Sequence, residues 1–307
     1  MRIIFAGTPE FAVPSLQKLI DLGHDVCAVY TQPDRPAGRG NKLHASPIKE
    51  LALKNNIPVF QPETLKNAEE QQRLKDLNAD LMVVVAYGMI LPQIVLDTPK
   101  YGCINVHGSL LPRWRGAAPI QRAIIEGDEK TGVTIMNIAL KLDAGDMLHK
   151  EEYTIKPTDT SADVFLELSH LGAIGLEKVI PQLENGTLIP EVQDESQVTY
   201  AAKLQKAEAE LNWNDSAAVL ARKINGLNPW PVAQTLYQGQ VLRIWKAIDL
   251  NKPCRLPAST VQTTEKHFDV ATGQGLLRLL EVQLPNAKRI SAEAFLNAHS
   301  ADGEQLG

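Results

Sequence analysis

The first 30 residues, MRIIFAGTPEFAVPSLQKLIDLGHDVCAVY, alternate between strand-like and helix-like segments. Ile3–Ala6 and Asp25–Tyr30 are short apolar runs of the kind that form buried strands. Between them, Val13–Leu22 is amphipathic, and Gly23 follows it as a helix-ending residue. This order of strand, helix and strand is the unit from which parallel sheets are built.

The same alternation continues to about residue 107. The sequence predicts further elements at Ser46–Lys54 (helix), Val59–Phe60 (strand), Leu65–Leu77 (helix), Asp80–Ala86 (strand) and Gly102–Val106 (strand). The strand at Asp80–Ala86 is apolar almost throughout, as expected for a strand that is covered on both faces. We therefore predict an α/β fold with a Rossmann-like open parallel sheet in the N-terminal part.

The character of the sequence changes near Pro190. Before it, the sequence predicts Pro119–Glu126 (helix), Val133–Ile138 (strand), Met147–Tyr153 (strand) and Thr160–Asn185 (helix). After it come a polar segment, a capped helix at Asp215–Asn225 and short alternating strands separated by glycine-containing turns. This pattern indicates a small C-terminal β-barrel or sandwich, and we expect a β-barrel of OB-like type. The predicted division is residues 1–189, a linker at 190–208 and a second domain at 209–307.

Composition limits the class of protein. The 307 residues are 44% hydrophobic and 22% charged, which is ordinary for a folded soluble protein and excludes fibrous and disordered chains. The formal net charge of −5 gives no general sign of a nucleic-acid partner, so any such surface must be local. Residues 209–307 hold ten basic and nine acidic side chains, so this part is less acidic than the rest.

Cysteine use and hydropathy predict a cytoplasmic protein. Cys27, Cys103 and Cys254 are far apart in the sequence, without the spacing of a metal site, which is typical of a reducing compartment. The N-terminal apolar run is too short for a signal peptide, and the run at Leu81–Ala86 is too short to cross a membrane. We expect no metal and no membrane association.

The most informative strand is the one that runs into His107. Asn105 and His107 are two residues apart, so in an extended strand their side chains lie on one face. An amide and an imidazole on one face suit a carbonyl group under attack, because the amide donates to the developing oxyanion and the imidazole moves a proton. The alternative is that Asn105 ends the strand and His107 is an ordinary polar residue with its hydrogen bonds satisfied.

Two loops add candidate residues. Asp143, in Leu142–Asp146, supplies a carboxylate that would stabilise an imidazolium at His107, or it is simply a turn residue. The Pro- and Gly-rich loop Gln32–Lys42 follows a predicted strand and carries several cations. It can present Arg39 and Lys42 to phosphate groups, or it is an ordinary solvated loop.

The run NVHGSLLPRWRGAAPIQ at residues 105–121, with GTPEFA at 7–12 and LDAGD at 142–146, resembles the methionyl-tRNA formyltransferases. The resemblance covers nearly the whole chain and is strongest before residue 150. It implies an enzyme that uses 10-formyltetrahydrofolate as co-substrate and methionyl-initiator-tRNA as acceptor, with no metal. Residues 1–189 would be the catalytic domain and residues 209–307 a tRNA-binding domain of a protein that we expect to be monomeric.

The resemblance also implies roles for single residues. Asn105, His107 and Asp143 would be catalytic, and Arg39 and Lys42 would contact nucleic acid. The folate site would be lined by Ser109, Leu110, Leu111 and Pro112.

Other functions stay open at this point, since the asparagine, histidine and aspartate set also occurs in formyltransferases that act on small amines. Formylation of a small amine, hydrolysis of the formyl donor and RNA binding without catalysis are the alternatives. The complete set of Asn105, His107 and Asp143 argues against the last of these.

Overall fold

The structure is a computed structural model, and it describes residues 1–37, 42–264 and 266–307. These residues form two units, neither of which is a continuous segment. The N-terminal unit comprises Met1–Gly116, Gly132–Tyr153 and Phe165–Tyr200. The C-terminal unit comprises Ala117–Thr131, Thr154–Val164 and Ala201–Gly307. The sequence-based domains are continuous segments, and their boundaries stay a prediction.

Strands occur along the whole chain. They are β1 (Arg2–Gly7), β2 (Asp25–Tyr30), β3 (Arg35–Ala37), β4 (Lys42–His44), β5 (Val59–Phe60), β6 (Leu81–Val85), β7 (Cys103–His107), β8 (Arg115–Gly116), β9 (Lys130–Asn137), β10 (Met147–Thr154), β11 (Tyr200–Ala201), β12 (Ala233–Tyr237), β13 (Gln240–Asp249), β14 (Val261–Thr263), β15 (Phe268–Ala271), β16 (Leu276–Gln283) and β17 (Ile290–Ser291).

The α-helices are α1 (Val13–Asp21), α2 (Pro47–Lys54), α3 (Ala68–Asp76), α4 (Gln93–Leu96), α5 (Pro119–Glu126), α6 (Ser161–Glu184), α7 (Ala217–Gly226) and α8 (Ala292–Leu296). Local sequence sets several of their ends. The Ser46 hydroxyl accepts a hydrogen bond from the Lys49 amide at 3.1 Å, and it begins α2 as predicted. Asn67 caps α3 in the same way, so this helix begins three residues later than the prediction of Leu65.

A seven-stranded sheet forms the centre of the N-terminal unit, in the order β10-β9-β7-β6-β1-β2-β5. The pairings among β7, β6, β1, β2 and β5 are parallel, and β9 is antiparallel to β7. Every residue of β6 is buried, as its unbroken apolar sequence predicts. The predicted open parallel sheet is thus confirmed for five strands, while the antiparallel direction of β9 comes from pairing and leaves no mark in local sequence.

This topology indicates where a ligand would bind. The chain goes from β1 to β2 on one side of the sheet and later returns to β6 on the other side of β1. Ligands of open α/β sheets bind beyond the carboxyl ends of the strands near such a reversal of strand order. The carboxyl end of β7, at His107, lies on this same edge of the sheet.

The C-terminal unit is built around a six-stranded antiparallel sheet. Its pairing order is β12-β13-β16-β15-β14, and β17 pairs with β16. Register shifts between β13 and β16 bend this pair of strands. One face packs on a core that includes Leu220 and Ile224 of α7 and the rings of Phe268 and Phe295. The predicted C-terminal β-domain is confirmed in this form, a half-barrel.

Within the described residues, no helix is both long enough and apolar enough to cross a bilayer.

Candidate active site

The end of β7 presents the two predicted side chains. β7 pairs with β6 on one side and with β9 on the other, so its backbone is held along both edges. His107 is opposite Thr134 of β9, and the residue is only 6% exposed. Asn105 is half-buried, and its side-chain amide has no hydrogen-bond partner among the described residues. The amide is therefore available to a ligand at the edge of the sheet.

A main-chain carbonyl fixes the tautomer of His107. The Nε2 atom lies 2.9 Å from the carbonyl oxygen of Trp114. Because a carbonyl oxygen can only accept, Nε2 carries the proton and donates it to this bond. In the neutral ring the lone pair is then on Nδ1, which makes Nδ1 the nitrogen that can accept a proton.

Asp143 lies beside that nitrogen. Its Oδ2 atom is 3.8 Å from Nδ1 of His107, which is too far for a direct hydrogen bond but within the distance at which a carboxylate attracts a protonated imidazole. The same Oδ2 accepts a 2.8 Å hydrogen bond from the Gly116 amide. The structure thus brings the predicted imidazole and carboxylate together, and the carbonyl of Trp114, rather than Asp143, is what orients the ring.

The turn that carries Asp143 connects β9 to β10. Asp143 has a φ of +47°, in the left-handed region, which aspartate tolerates better than most residues. Gly145 is required two residues later, because a Cβ there would lie 1.8 Å from the carbonyl oxygen of Asn137. The turn closes with a 2.9 Å bond from the Asn137 amide to the Asp146 carbonyl.

Residues 114–116 connect to both catalytic candidates. The Trp114 carbonyl accepts a hydrogen bond from His107, and the Gly116 amide donates one to Asp143. Both residues have positive φ angles, +66° at Trp114 and +117° at Gly116. Thr199 holds the segment, because its hydroxyl accepts from the Trp114 amide at 3.0 Å and its carbonyl from the Arg115 amide at 2.9 Å.

Sequence reasoning did not find these backbone contacts. The residues before Pro119 carry part of the family resemblance, but residue type does not show that a tryptophan carbonyl or a glycine amide takes part in the site. The sequence feature that could have indicated these contacts is Gly116, which follows His107 in the same segment, since glycine allows φ angles that other residues avoid.

The four residues predicted to line a folate site divide into two kinds. Ser109 and Leu111 are buried. The Ser109 hydroxyl donates to the Arg113 carbonyl at 2.7 Å, and Leu111 packs with Met136 and Met147. Leu110 and Pro112 are partly exposed and can present an apolar surface. Ser109 and Leu111 therefore shape this segment from inside.

The cationic loop is only partly described. Arg39 lies outside the described residues, and Lys42 begins β4, which pairs antiparallel with β3 to form a short hairpin. Asp34 of this loop is paired with Lys49 of α2 at 2.5 Å. Hydrogen bonds from Lys49 and Gln61 lower the pKa of the Asp34 carboxyl.

Across the described ranges there is no cluster of three or more His, Cys, Asp or Glu side chains that could hold a metal ion. The arrangement at β7 instead combines an available amide, a proton-accepting imidazole nitrogen and a carboxylate. Such a set can stabilise an oxyanion and move a proton during transfer of an acyl group.

Comparison with known proteins agrees with this chemistry. Residues 1–180 match the formyl transferase family, and residues 203–300 match the family called formyl transferase, C-terminal domain. The chain is 56% identical over 307 residues to the methionyl-tRNA formyltransferase of Methylococcus capsulatus, covering all of both chains. It is 54% identical over 308 residues to the methionyl-tRNA formyltransferase of Hydrogenovibrio crunogenus, covering 100% of this chain and 99% of the other.

The chain belongs to the methionyl-tRNA formyltransferase family. The resemblance noted in the sequence is therefore confirmed, and so is its classification as a formyltransferase.

Solved structures share the fold of this methionyl-tRNA formyltransferase family member at much lower identity. WlaRD, a sugar 3N-formyl transferase solved with dTDP and 5-N-formyl-THF, matches with a TM-score of 0.70 and 19% identity, covering 94% of this chain and 99% of that one. HypX from Aquifex aeolicus in complex with tetrahydrofolic acid matches with a TM-score of 0.64 and 15% identity, covering 97% of this chain and 47% of that one. These likenesses support the fold class predicted from the sequence.

Proposed function

We propose that this protein transfers the formyl group of 10-formyltetrahydrofolate to the α-amine of methionyl-initiator-tRNA, giving the formylated methionyl-tRNA used in translation initiation. The observation that carries the proposal is the identity of 54–56%, over the full length, to two proteins named methionyl-tRNA formyltransferase. The site at β7 supplies the groups that such a transfer requires.

The reaction exchanges one C–N bond for another. The amine nitrogen of the methionyl group attacks the formyl carbon, and a tetrahedral intermediate with a negative oxygen forms. The bond between the formyl carbon and the folate nitrogen then breaks. The amine loses one proton, and the departing folate nitrogen gains one, so the protons balance. The protein must therefore stabilise an oxyanion and relay a proton.

We assign these two tasks to Asn105 and His107. The Asn105 amide, which has no partner within the described part of the chain, would donate to the oxyanion. Nδ1 of His107 would take the proton of the attacking amine and return it to the folate nitrogen, because Nε2 is committed to the Trp114 carbonyl. Asp143, 3.8 Å from Nδ1, would stabilise the imidazolium that forms between these steps.

The folate co-substrate needs an apolar wall for its flat ring system. Leu110 and Pro112 are partly exposed just beyond β7 and would provide part of it. Ser109 and Leu111 would act indirectly, by holding the backbone of this segment. The formyl carbon is already electrophilic on the folate nitrogen, so the proposed reaction needs no metal.

Acceptor binding would use both parts of the chain. We propose that Arg39 and Lys42, in the loop that follows β2, contact the acceptor end of the tRNA. We also propose that residues 209–307 bind the tRNA. A net charge of −5 means that such binding relies on local basic groups, so it should weaken steeply as salt increases. We further propose that the protein acts as a monomer in the cytoplasm.

Radiolabelled formyl donor tests the acceptor. The purified protein is given the labelled donor with charged initiator tRNA, with a sugar nucleotide amine, with glycinamide ribonucleotide or with buffer alone. We expect label on the methionyl-tRNA, at a kcat/KM at least 100-fold above that for either small amine. Label found mainly on a small amine, or only as free formate, would contradict the proposal and favour the small-amine or hydrolytic alternative.

A further inference from the structure

The backbone of the turn that carries Asp143 is hydrogen-bonded to a buried glutamine. Gln193 is only 5% exposed, and it lies in the segment that the sequence suggested was a linker. Its Nε2 atom donates to the carbonyl of Asp143 at 2.7 Å and to the carbonyl of Gly145 at 2.8 Å. One amide group thus ties two carbonyls of the turn together.

The other end of the same amide is also engaged. Oε1 of Gln193 accepts a 3.0 Å hydrogen bond from Nε of Arg115, whose side chain is fully buried. Arg115 pairs in addition with Glu195 at 2.8 Å, and Glu195 pairs with Lys141 at 2.6 Å. Both amide hydrogens and the oxygen of Gln193 are therefore used, which fixes the orientation of its side chain.

These contacts form a closed ring of covalent and hydrogen bonds that includes Asp143. Arg115 is covalently joined to Gly116, and the Gly116 amide donates to Oδ2 of Asp143. The Asp143 backbone is bound by Gln193, and Gln193 is bound by the Arg115 side chain. The position of Asp143 relative to His107 is thus set by a closed set of hydrogen bonds in which Gln193 is the part that reaches the turn.

We propose that Gln193 is a positioning residue that acts through the Asp143 turn. It does not touch the reacting groups, and it holds the left-handed backbone of Asp143 in the conformation that places the carboxylate 3.8 Å from Nδ1 of His107. A displacement of about 1 Å in a catalytic group can cost on the order of 100-fold in rate. The inference rests on the proposed function for its assay.

Two substitutions separate the contacts of Gln193. Gln193→Met has nearly the same length and loses all three hydrogen bonds. Gln193→Glu keeps an oxygen for Arg115 but cannot donate to the two carbonyls, and it places a negative charge against them. The matched control is Gln71→Met, because the Gln71 amide also donates to a main-chain carbonyl, that of Leu65 at 3.0 Å, in the same unit.

We expect both Gln193 variants to lower kcat for formyl transfer by 10- to 100-fold, with a KM for the folate donor within threefold of the wild-type value. The control should keep the wild-type kcat within twofold. Circular dichroism and melting temperature establish that each variant is folded. If Gln193→Met does not fold, Gln193→Glu alone decides the question, since it retains the contact to the buried guanidinium.

A double-mutant cycle distinguishes positioning from a general loss of structure. If Gln193 acts through Asp143, the Gln193→Glu change should cost no more than about threefold when it is made in an Asp143→Asn background, because the carboxylate is already gone. An equal fold-loss in both backgrounds, or a kcat of the single variants within threefold of wild type, would overturn the inference. Failure of the proposed function would show itself differently, as a wild-type enzyme that does not formylate methionyl-tRNA.

Discussion

Oδ2 of Asp143 lies 3.8 Å from Nδ1 of His107, and these two residues come from separate elements 36 positions apart in the chain. The carboxylate accepts a hydrogen bond from the Gly116 amide, and it makes no direct hydrogen bond to the imidazole ring. This separation leaves Nδ1 without a hydrogen bond to the carboxylate, which lies beside it. In the proposed mechanism, the carboxylate would stabilise the positive charge that forms on the ring when Nδ1 takes up a proton.

Asp143→Asn tests that electrostatic role. The amide keeps the size of the side chain, and its oxygen can still accept from Gly116, but the charge beside His107 is removed. We expect kcat to fall by about 100-fold or more, because proton transfer by His107, which is typically worth about 10²–10⁴ in rate, would lose the charge that stabilises the imidazolium. Binding of the folate donor, measured by calorimetry, should stay within threefold of wild type. An unchanged kcat would mean that Asp143 serves only the turn.

Asn105→Ala tests stabilisation of the oxyanion. Removing one donor of this kind costs about 10²–10³ in kcat, and we expect a loss in that range. The side chain has no partner in the described parts of the chain, so its loss should leave the melting temperature within about 2 °C. Steady-state kinetics and a thermal melt check both values. A large drop in melting temperature with unchanged kcat would assign Asn105 a structural role instead.

Arg39→Ala tests the proposed contact with tRNA. Loss of one phosphate contact should raise KM for methionyl-tRNA and reduce the slope of log K against log salt by about 1. Affinity for the folate donor should not change. Lys54→Ala is the matched control, because it removes one exposed cation at the end of α2. Equal salt slopes for both variants and the wild type would show that the loop is simply solvated.

Glu208→Gln tests the contact between Glu208, at the end of the predicted linker, and α5, which both belong to the C-terminal unit. Arg122 of α5 binds Glu208 through two hydrogen bonds of 2.6 and 3.1 Å, and this pairing lowers the pKa of the Glu208 carboxyl. The stabilisation is present above the unfolded pKa of about 4.3 and is lost as pH falls through the lower folded value.

At pH 7 we expect Glu208→Gln to lower the free energy of unfolding by up to about 1 kcal/mol, with the difference from wild type shrinking below pH 4. Urea unfolding at several pH values measures this. Glu69→Gln is the control, since Glu69 is largely exposed beside Arg73 and should change stability by less than about 0.5 kcal/mol. If the difference in unfolding free energy between Glu208→Gln and the wild type grew as the pH fell, the stabilising role of the Arg122–Glu208 pair would be contradicted.

The sequence predicted those parts of the fold that local pattern encodes. The apolar run of β6 and the cap at Ser46 indicated their elements, and the spacing of Asn105 and His107 put both on one strand face. The strand at β9 was predicted, but its antiparallel direction and the β3–β4 hairpin were missed, because strand pairing depends on distant residues.

The surroundings of the candidate site were also missed, for a different reason. The Trp114 carbonyl and the Gly116 amide act through the backbone, which residue type does not reveal. Gln193 is a polar residue in a polar segment, so nothing in the sequence distinguishes it from a linker residue. Only the folded chain shows that it is buried and bonded on three sides.

The central claim is that His107 moves the proton during formyl transfer, and a single-turnover rate with His107→Ala tests it most directly. Enzyme in excess over methionyl-tRNA, at saturating folate donor, reports the chemical step without product release. We predict a rate at least 1,000-fold below wild type, in a protein with a normal circular dichroism spectrum and unchanged folate affinity. A rate within tenfold of wild type would remove His107 from the mechanism.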